Sequence, residues 1–358
     1  MAVRSIEGTG KISDTDEDLR KILETRKAEI KVVGVGGAGN NTISRMMQVG
    51  VIGAQIIAAN TDAQDLLYTD ADKKVLLGRD LTRGLGAGAD PNVGMESARE
   101  SREDIKDALK GGDMVFITCG LGGGTGTGAS PVIADLAKKM GLLTVGVVTL
   151  PFSMEGKQRM ENARKGLTEL EKTVDTLIVI PNDKLLEMVP DVSIVSAFKI
   201  CDEILVNAVK GITELVTKPG LVNLDFADIK AVMTGGGMAM IGLGESDTEN
   251  RAVEAVEKAL NNPLLDVDIE NASGALVNVC GGTDVTIKEC QEIVEAVSTK
   301  INADAKVIWG AQISKELGDI VKALLIVTGV RAPTSYDGEI FPKEKQKEIE
   351  KILGIEFV

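Results

Sequence analysis

Gly120-Leu121-Gly122-Gly123-Gly124-Thr125-Gly126-Thr127-Gly128 is the stretch that decides the fold class. Six of its nine residues are glycine. Glycine gives up more backbone freedom on ordering than any other residue, and a plain connection does not need six. A loop that wraps phosphate oxygens with backbone N–H groups, helped by two threonine hydroxyls, does. The competing reading is a purely structural loop. An apolar run at 114–119 precedes the stretch and reads as a strand, and a helix-like segment near 131–140 follows it. The loop therefore lies where a helix N-terminus offers N–H donors to an anion. It lacks the Lys of G-x-x-x-x-G-K-[ST], and that motif occurs nowhere else in the chain, which excludes a P-loop NTPase.

A second glycine cluster lies upstream: Gly34-Val35-Gly36-Gly37-Ala38-Gly39. It fits G-x-G-x-x-G, follows an apolar run at 30–35 and opens a helix-like stretch at 40–49. Asp62 ends the next apolar run, 54–59, near the place where a dinucleotide fold carries its ribose-binding acid. Taken alone, the cluster reads either as a nucleotide turn or as a tight turn with close helix–sheet packing. Further strands are expected at 74–77, 143–149 and 176–180, and helices at 93–109 and 155–172. Strands alternating with helices mean a parallel sheet covered on both faces, and the continuous Val/Ile/Leu runs suit burial on both sides. A long helix is expected over 193–216, stopped by Lys218-Pro219-Gly220. Beyond it, strands at 239–243, 275–280, 306–311 and 323–328 with helices at 247–260 and 286–301 make a smaller α+β unit. The fold class is thus α/β: a parallel-sheet nucleotide-binding domain joined by a long central helix to a smaller α+β domain. The expected divisions are a polar extension (1–28), the nucleotide-binding domain (29–192), the central helix and following loop (193–228), the α+β domain (229–331) and a charged tail (332–358).

Composition narrows the chemistry. The chain has 358 residues, 40 of them glycine, and a formal net charge of −14. An acidic chain repels phosphate backbones, so a general nucleic-acid binder is not expected. Histidine is absent, which removes Ser-His-Asp and Cys-His catalysis and His-ligated zinc. Cys119, Cys201, Cys280 and Cys290 form no C-x-x-C pair and read as buried thiols, not as a disulfide or zinc framework. No apolar run reaches ~18 residues and no signal-peptide pattern opens the chain, so a soluble, cytoplasmic protein without membrane insertion is expected.

The string GGGTGTG resembles the tubulin signature, and in this form that of the FtsZ family of prokaryotic cell-division GTPases. Residues 32–41, 60–64, 84–90, 151–159, 181–186 and 223–228 (NLDFAD) resemble the same family in the same order. The resemblance covers about 30–330. The N-terminal extension and short tail resemble archaeal members.

The resemblance implies a tubulin/FtsZ fold, GTP and GDP as ligands, Mg²⁺ on the phosphates, and roles for individual residues. Gly36, Gly37, Ala38, Gly39, Asn40 and Asn41, with Gly122, Gly123, Gly124, Thr125, Gly126 and Thr127, would hold the phosphates, Thr125 near the γ-phosphate. Simple N-capping is the other reading of Asn40 and Asn41. Ala87 and Gly88 would complete the γ-phosphate side. Glu155 would accept from ribose hydroxyls and Arg159 would lie along the sugar or base; a surface i,i+4 ion pair is the plainer reading. Phe198 would stack on the base and Asp202 would accept from guanine N1–H and the 2-amino group, against a core phenylalanine and a solvated aspartate. Asn182 is a further candidate for the ribose side. No residue is assigned as a metal ligand.

Asp225 and Asp228, with Asn223 in the same motif, are the catalytic candidates the resemblance implies. Two carboxylates three residues apart could orient a water for in-line attack on a γ-phosphate. An N-cap with a first-turn charge is the alternative. The resemblance implies that these acids serve a neighbour's phosphates in a head-to-tail filament; the central helix rises about 24 Å from 200 to 216, which makes that geometry reasonable. The implied function is a GTPase that polymerises with itself for the cell-division ring, its active site completed between subunits. A dinucleotide-binding oxidoreductase is the alternative that Asp62 supports; one pyrophosphate needs only one glycine turn. A non-hydrolysing filament homologue is a third possibility, which Asp225 and Asp228 oppose. In the tail, 343–351 reads as a solvated helix, and Ile355, Phe357 and Val358 as a possible dock for a membrane-tethering adaptor.

Overall fold

The computed structural model describes residues 28–188, 193–218, 221–222, 224–265 and 267–330. Nearly all of the expected N-terminal extension, and the tail from 332, lie outside them. The first half is built from β1 (Ile30–Val35), α1 (Gly36–Val49), β2 (Ala54–Asn60), α2 (Ala63–Tyr68), β3 (Lys73–Leu76), α3 (Pro91–Glu100), α4 (Arg102–Leu109), β4 (Met114–Gly120), α5 (Thr125–Lys139), β5 (Leu143–Leu150), α6 (Lys157–Thr173), β6 (Thr176–Pro181) and α7 (Asn182–Met188). Helix α8 (Ile194–Thr217) and α9 (Phe226–Met233) follow. The second half contains β7 (Gly237–Ser246), α10 (Arg251–Leu260), β8 (Gly274–Gly281), α11 (Ile287–Ser298), β9 (Lys306–Ile313) and β10 (Val321–Thr328).

All ten strands belong to one sheet, ordered β3-β2-β1-β4-β5-β6-β7-β10-β8-β9. Strands β1 to β6 pair in parallel throughout. The strands of the smaller α+β unit continue the same sheet: β6 and β7 pair in parallel from Thr176↔Gly237 to Ile178↔Ala239. Beyond β7 the sheet turns mixed, with β10 antiparallel to both β7 and β8, and β9 parallel to β8.

Period-two alternation divides the strand side chains between two cores. In β1, Val33 and Val35 enter one and Ile30 and Val32 the other. The first core is closed by apolar residues of α3 to α6 and, in the second half, of α10 and α11. The second is closed by Ile43 and Met46 of α1, by α8 from Ala197 to Leu215, and by Ile229 and Met233 of α9. Helix α8 thus covers one face across both halves of the sheet. Its apolar residues carry the spacing of a buried stripe, and the Ser193 side chain caps its start by accepting from Ser196 N–H.

Three local expectations need correction. The helix expected over 93–109 is two, broken at Ser101. Ser101, which separates them, has φ −91° and ψ 24°, and its hydroxyl accepts from Gly78 N–H at 3.0 Å. Residues 63–68, to which the sequence pattern assigns no element, form α2, whose N-cap is Asp62. Helix α5 starts at Thr125 rather than near 131, so Gly126 and Gly128 lie in its first turn and the free glycine loop is shorter than the string suggests. Cys119, Cys201 and Cys290 are buried thiols as expected, but Cys280 is only half-buried.

Candidate functional site

The order β3-β2-β1-β4-β5-β6 reverses direction between β1 and β4. In open parallel sheets the crevice at such a switch, beyond the carboxyl ends of the strands, is where ligands bind. Both glycine turns lie there, after β1 and after β4. They touch: a Cβ on Gly36 would sit 2.9 Å from Gly126 N. The two turns therefore form one cradle.

Within the cradle the glycines divide into two kinds. A Cβ on Gly39 would meet Thr118 O at 2.5 Å, on Gly124 Asp90 N at 2.9 Å, and on Gly126 Gly120 O at 2.9 Å. These three are required by packing against other backbone. A Cβ on Gly123 or Gly88 would meet nothing within 4 Å, and on Gly37 only Asp65 Oδ2 at 3.9 Å. Gly37, Gly88 and Gly123 are where backbone stands open to a ligand. Thr127 closes the loop on itself, its hydroxyl accepting from Gly122 N–H at 2.8 Å. Thr125 Oγ1 lies 2.7 Å from Thr61 Oγ1, which ties the loop to the end of β2. Ala87, buried, borders the cradle, since its Cβ is the atom that a side chain on Gly124 would strike.

Asn40 and Asn41 are not caps of α1, which starts earlier, at Gly36. Asn40 is fully buried and donates to Asp65 Oδ2 at 3.0 Å, as does Asn60 at 2.6 Å. Asn41 is exposed on the next position. Asn40 Oδ1 is buried with no hydrogen-bond partner, and so is Asn182 Oδ1 at the end of β6. Buried polar atoms are seldom left unpaired, so both oxygens keep acceptor capacity that a ligand or a water can take, as do unpaired atoms elsewhere such as Thr213 Oγ1. Asp62 is already engaged, accepting from Gln64 N–H at 2.9 Å and Asp65 N–H at 3.1 Å as the cap of α2.

The side of the crevice beyond β5 is built by Phe152, Glu155 and the start of α8. Glu155 pairs with Arg159 at i,i+4, and its other oxygen accepts from Phe152 N–H at 2.9 Å. Phe198 is not a core residue: it is 44% exposed and stands edge-on to buried Phe152, ring centroids 5.3 Å apart. One turn along, burial raises the Asp202 pKa, partly offset by a hydrogen bond from Thr42 Oγ1 at 2.9 Å and by nearby Arg45. An exposed ring beside a half-buried carboxylate can hold a planar base by its face and its donor edge. Thr42 carries no sequence signal, because its partner lies 160 positions away.

Asp225 and Asp228 lie elsewhere. Helix α8 starts beside Phe152, past the carboxyl end of β5, and ends with Thr217 against Gly53, just ahead of β2. It runs from the carboxyl-end side of the parallel strands to their amino-end side. The segment beyond it is tied to β9 by Leu221 N–H donating to Ala311 O at 2.9 Å. Asp225 caps α9 in a capping box: its carboxylate accepts from Asp228 N–H at 2.8 Å, and Asp228 Oδ2 accepts from Asp225 N–H at 3.4 Å. Helix α9 ends with Met233 O accepting from Thr176 Oγ1 at the amino end of β6. Both acids are exposed. Asn223 lies outside the described residues. Among the described residues, no cluster of three or more carboxylates or cysteines has metal-binding geometry.

Sequence profiles for "Tubulin/FtsZ family, GTPase domain" and "FtsZ family, C-terminal domain" match residues 29–190 and 237–331. The cell division protein FtsZ 1 of Thermococcus kodakarensis is 63% identical over 327 residues, 91% of this chain and 87% of that protein. That of Methanocaldococcus jannaschii is 58% identical over 325 residues, 91% and 89% of the two chains. A solved structure described as an empty FtsZ dimer from M. jannaschii superposes with a TM-score of 0.85 at 58% identity, covering 88% of this chain and 92% of its own.

Proposed function

The chain belongs to the Tubulin/FtsZ family, a cell-division GTPase of FtsZ type, and from that premise we propose how its residues divide the work. The two glycine turns hold the phosphates of GTP, with Gly37, Gly88 and Gly123 as the points of closest backbone approach. The observation that carries this reading is the contact of the two turns at the sheet's switch point. A single dinucleotide pyrophosphate would use one such turn, and Asp62, the residue that favoured an oxidoreductase, caps α2 instead. Phe198 stacks on the base, Asp202 accepts from its N1–H and 2-amino group, and Asn182, Glu155 and Arg159 border the sugar. The Glu155–Arg159 pair opens to let the carboxylate accept from ribose hydroxyls.

Mg²⁺ fits this site as an ion that arrives with the nucleotide. A hard, strongly hydrated cation takes phosphate oxygens and water and needs few protein ligands. Bound, it would neutralise charge on the β- and γ-phosphates.

Asp225 and Asp228 act on the nucleotide of a neighbouring subunit. In support, α8 carries the chain from the carboxyl-end side of the parallel strands to their amino-end side before these acids occur. A head-to-tail contact would bring them against the next subunit's phosphates, where they orient the attacking water. Such a contact need not close and generates a filament. In functional terms, 29–192 binds GTP, and 193–228 carries the chain to the acids that meet the neighbour. No described helix is long and apolar enough to cross a membrane. We place the protein in the cytoplasm at the division site, tethered through an adaptor bound by Ile355, Phe357 and Val358, which lie outside the described residues. The test is GTP hydrolysis measured against protein concentration with light scattering in parallel. Turnover per subunit should rise steeply at the concentration where scattering appears. Constant turnover per subunit through that threshold overturns the shared site.

A further inference from the structure

Thr42 lies in α1, four residues beyond Ala38 of the first glycine turn, and is fully buried. Its Oγ1 is 2.9 Å from Asp202 Oδ1 and 3.1 Å from Ala38 O. A hydroxyl has one proton to give. A helical threonine ordinarily turns it back to the carbonyl four residues earlier, here that of Ala38. An ionised carboxylate is the stronger acceptor, so Asp202 takes it. The carboxylate is thereby fixed at one oxygen from a helix that begins in the phosphate cradle. The neighbouring charges Arg45 and Glu203 pair with each other at 3.1 Å and act on Asp202 through space in opposite directions, so Thr42 supplies its side-chain hydrogen bond.

We infer that Thr42 is a positioning residue for base recognition, whose hydroxyl aims the Asp202 carboxylate at the two donors of guanine and couples its placement to the phosphate turn. The inference rests on Asp202 being the guanine acceptor. A carboxylate free to rotate about its last bond meets two donors in register only part of the time; one held at Oδ1 meets both. The role belongs to this chain's side chain at position 42, since an apolar residue there would fill the same space without the proton.

The experiment measures dissociation constants for GTP and for ITP, which keeps N1–H and lacks the 2-amino group. Thr42→Val should reduce the preference for GTP over ITP about tenfold, the size of one hydrogen bond to a charged group. Thr42→Ser, which keeps the hydroxyl, should hold the preference within about twofold of the parent on the same ground. Thr42→Ala serves as a second variant without the hydroxyl should Val disturb folding, with the same loss expected. If the hydroxyl-free variants weaken GTP and ITP equally, Thr42 supports the helix only and the inference fails. Asp202→Asn separates the premise from the inference. An unchanged preference in Asp202→Asn removes Asp202 from the base contact; a lost preference there, retained in Thr42→Val and Thr42→Ala, removes Thr42 alone.

Discussion

Gly123 and Gly126 stand three residues apart in one loop, and the fold makes opposite demands on them. Gly126 is pressed against Gly120 O, whereas Gly123 faces open space. Valine at 126 must displace backbone, so its cost falls on folding. Gly123→Val adds bulk only where a phosphate would sit. We expect Gly123→Val to melt within a few degrees of the parent while GTP affinity drops at least tenfold; unchanged affinity by nucleotide titration would take the second turn out of the phosphate site. Asp202 offers a test through pH. Burial raises its pKa from the ordinary 3.8, and the Thr42 hydrogen bond and Arg45 offset this only in part, while Glu203 adds to it. Between 3.8 and the raised value the folded protein holds a proton that the unfolded chain has lost. Stability therefore gains as pH falls through the raised pKa toward 3.8, and the ionised form carries a cost above that window. Guanine donors favour the ionised form, so GTP affinity should weaken as pH falls through the same window. Asp202→Asn has nothing to titrate and should lose this part of the slope; phosphate titration is common to both proteins and cancels. Equal acid slopes for the two would exclude a carboxylate–guanine contact.

At the scale of elements, α9 shows how one residue can serve structure and chemistry together. Asp225 is both the N-cap of α9 and a catalytic candidate, and substitution by alanine removes both roles. Losing such a cap costs about 1 kcal/mol. Asparagine caps as well as aspartate but carries no charge. Asp225→Asn should therefore melt within a degree or two of the parent and still lose GTP turnover by 100-fold or more. Turnover retained in the Asn variant and lost in the Ala variant would reduce Asp225 to a cap. The elements themselves were largely legible: the apolar runs at 30–35, 114–119 and 143–149 each became a strand within one residue, because burial on both faces leaves an uninterrupted signal. The turns after β1 and β4 were legible for a related reason, as glycine marks close approach. It did not mark what was approached: Gly39, Gly124 and Gly126 pack on protein backbone, and only neighbours distant in sequence decide that. Helix α2 was hidden because Asn60-Thr61-Asp62 reads equally as a strand end and as a helix start. The Ser101 hydroxyl finds its partner 23 positions away at Gly78, and Thr42 finds Asp202 160 positions away. Local pattern carries no trace of either.

Across the whole molecule, one continuous sheet and one long helix fix where the two halves of the chemistry lie. The sheet runs unbroken through β6 and β7, so backbone pairing joins the second half to the first. Helix α8 is buried along most of its length and spans from Phe152, beyond the carboxyl end of β5, to Gly53, ahead of β2. At 1.5 Å per residue, 24 helical residues cover about 35 Å, most of the way across a domain of this size. We propose that a spacer of that length keeps cradle and acids apart in one subunit and presents them on opposite surfaces, the arrangement a stacked neighbour completes. Two defective proteins then become a test. Asp225→Asn should bind GTP normally, because its cradle is intact, and fail to hydrolyse it. Gly123→Val should fail for the opposite reason, with sound acids and an empty cradle. In a mixture, a junction that pairs the cradle of the first with the acids of the second holds every required part. We expect such mixtures to hydrolyse GTP, most strongly near equal proportions and never at the full parental rate, since only one of the possible junctions is complete. Activity should rise with total protein concentration, because the junction must form before it can act. If co-sedimentation shows both variants in the same polymer and the mixture stays inactive at every ratio, cradle and acids do not meet between subunits, and Asp225 and Asp228 serve the neighbour's nucleotide in no direct way.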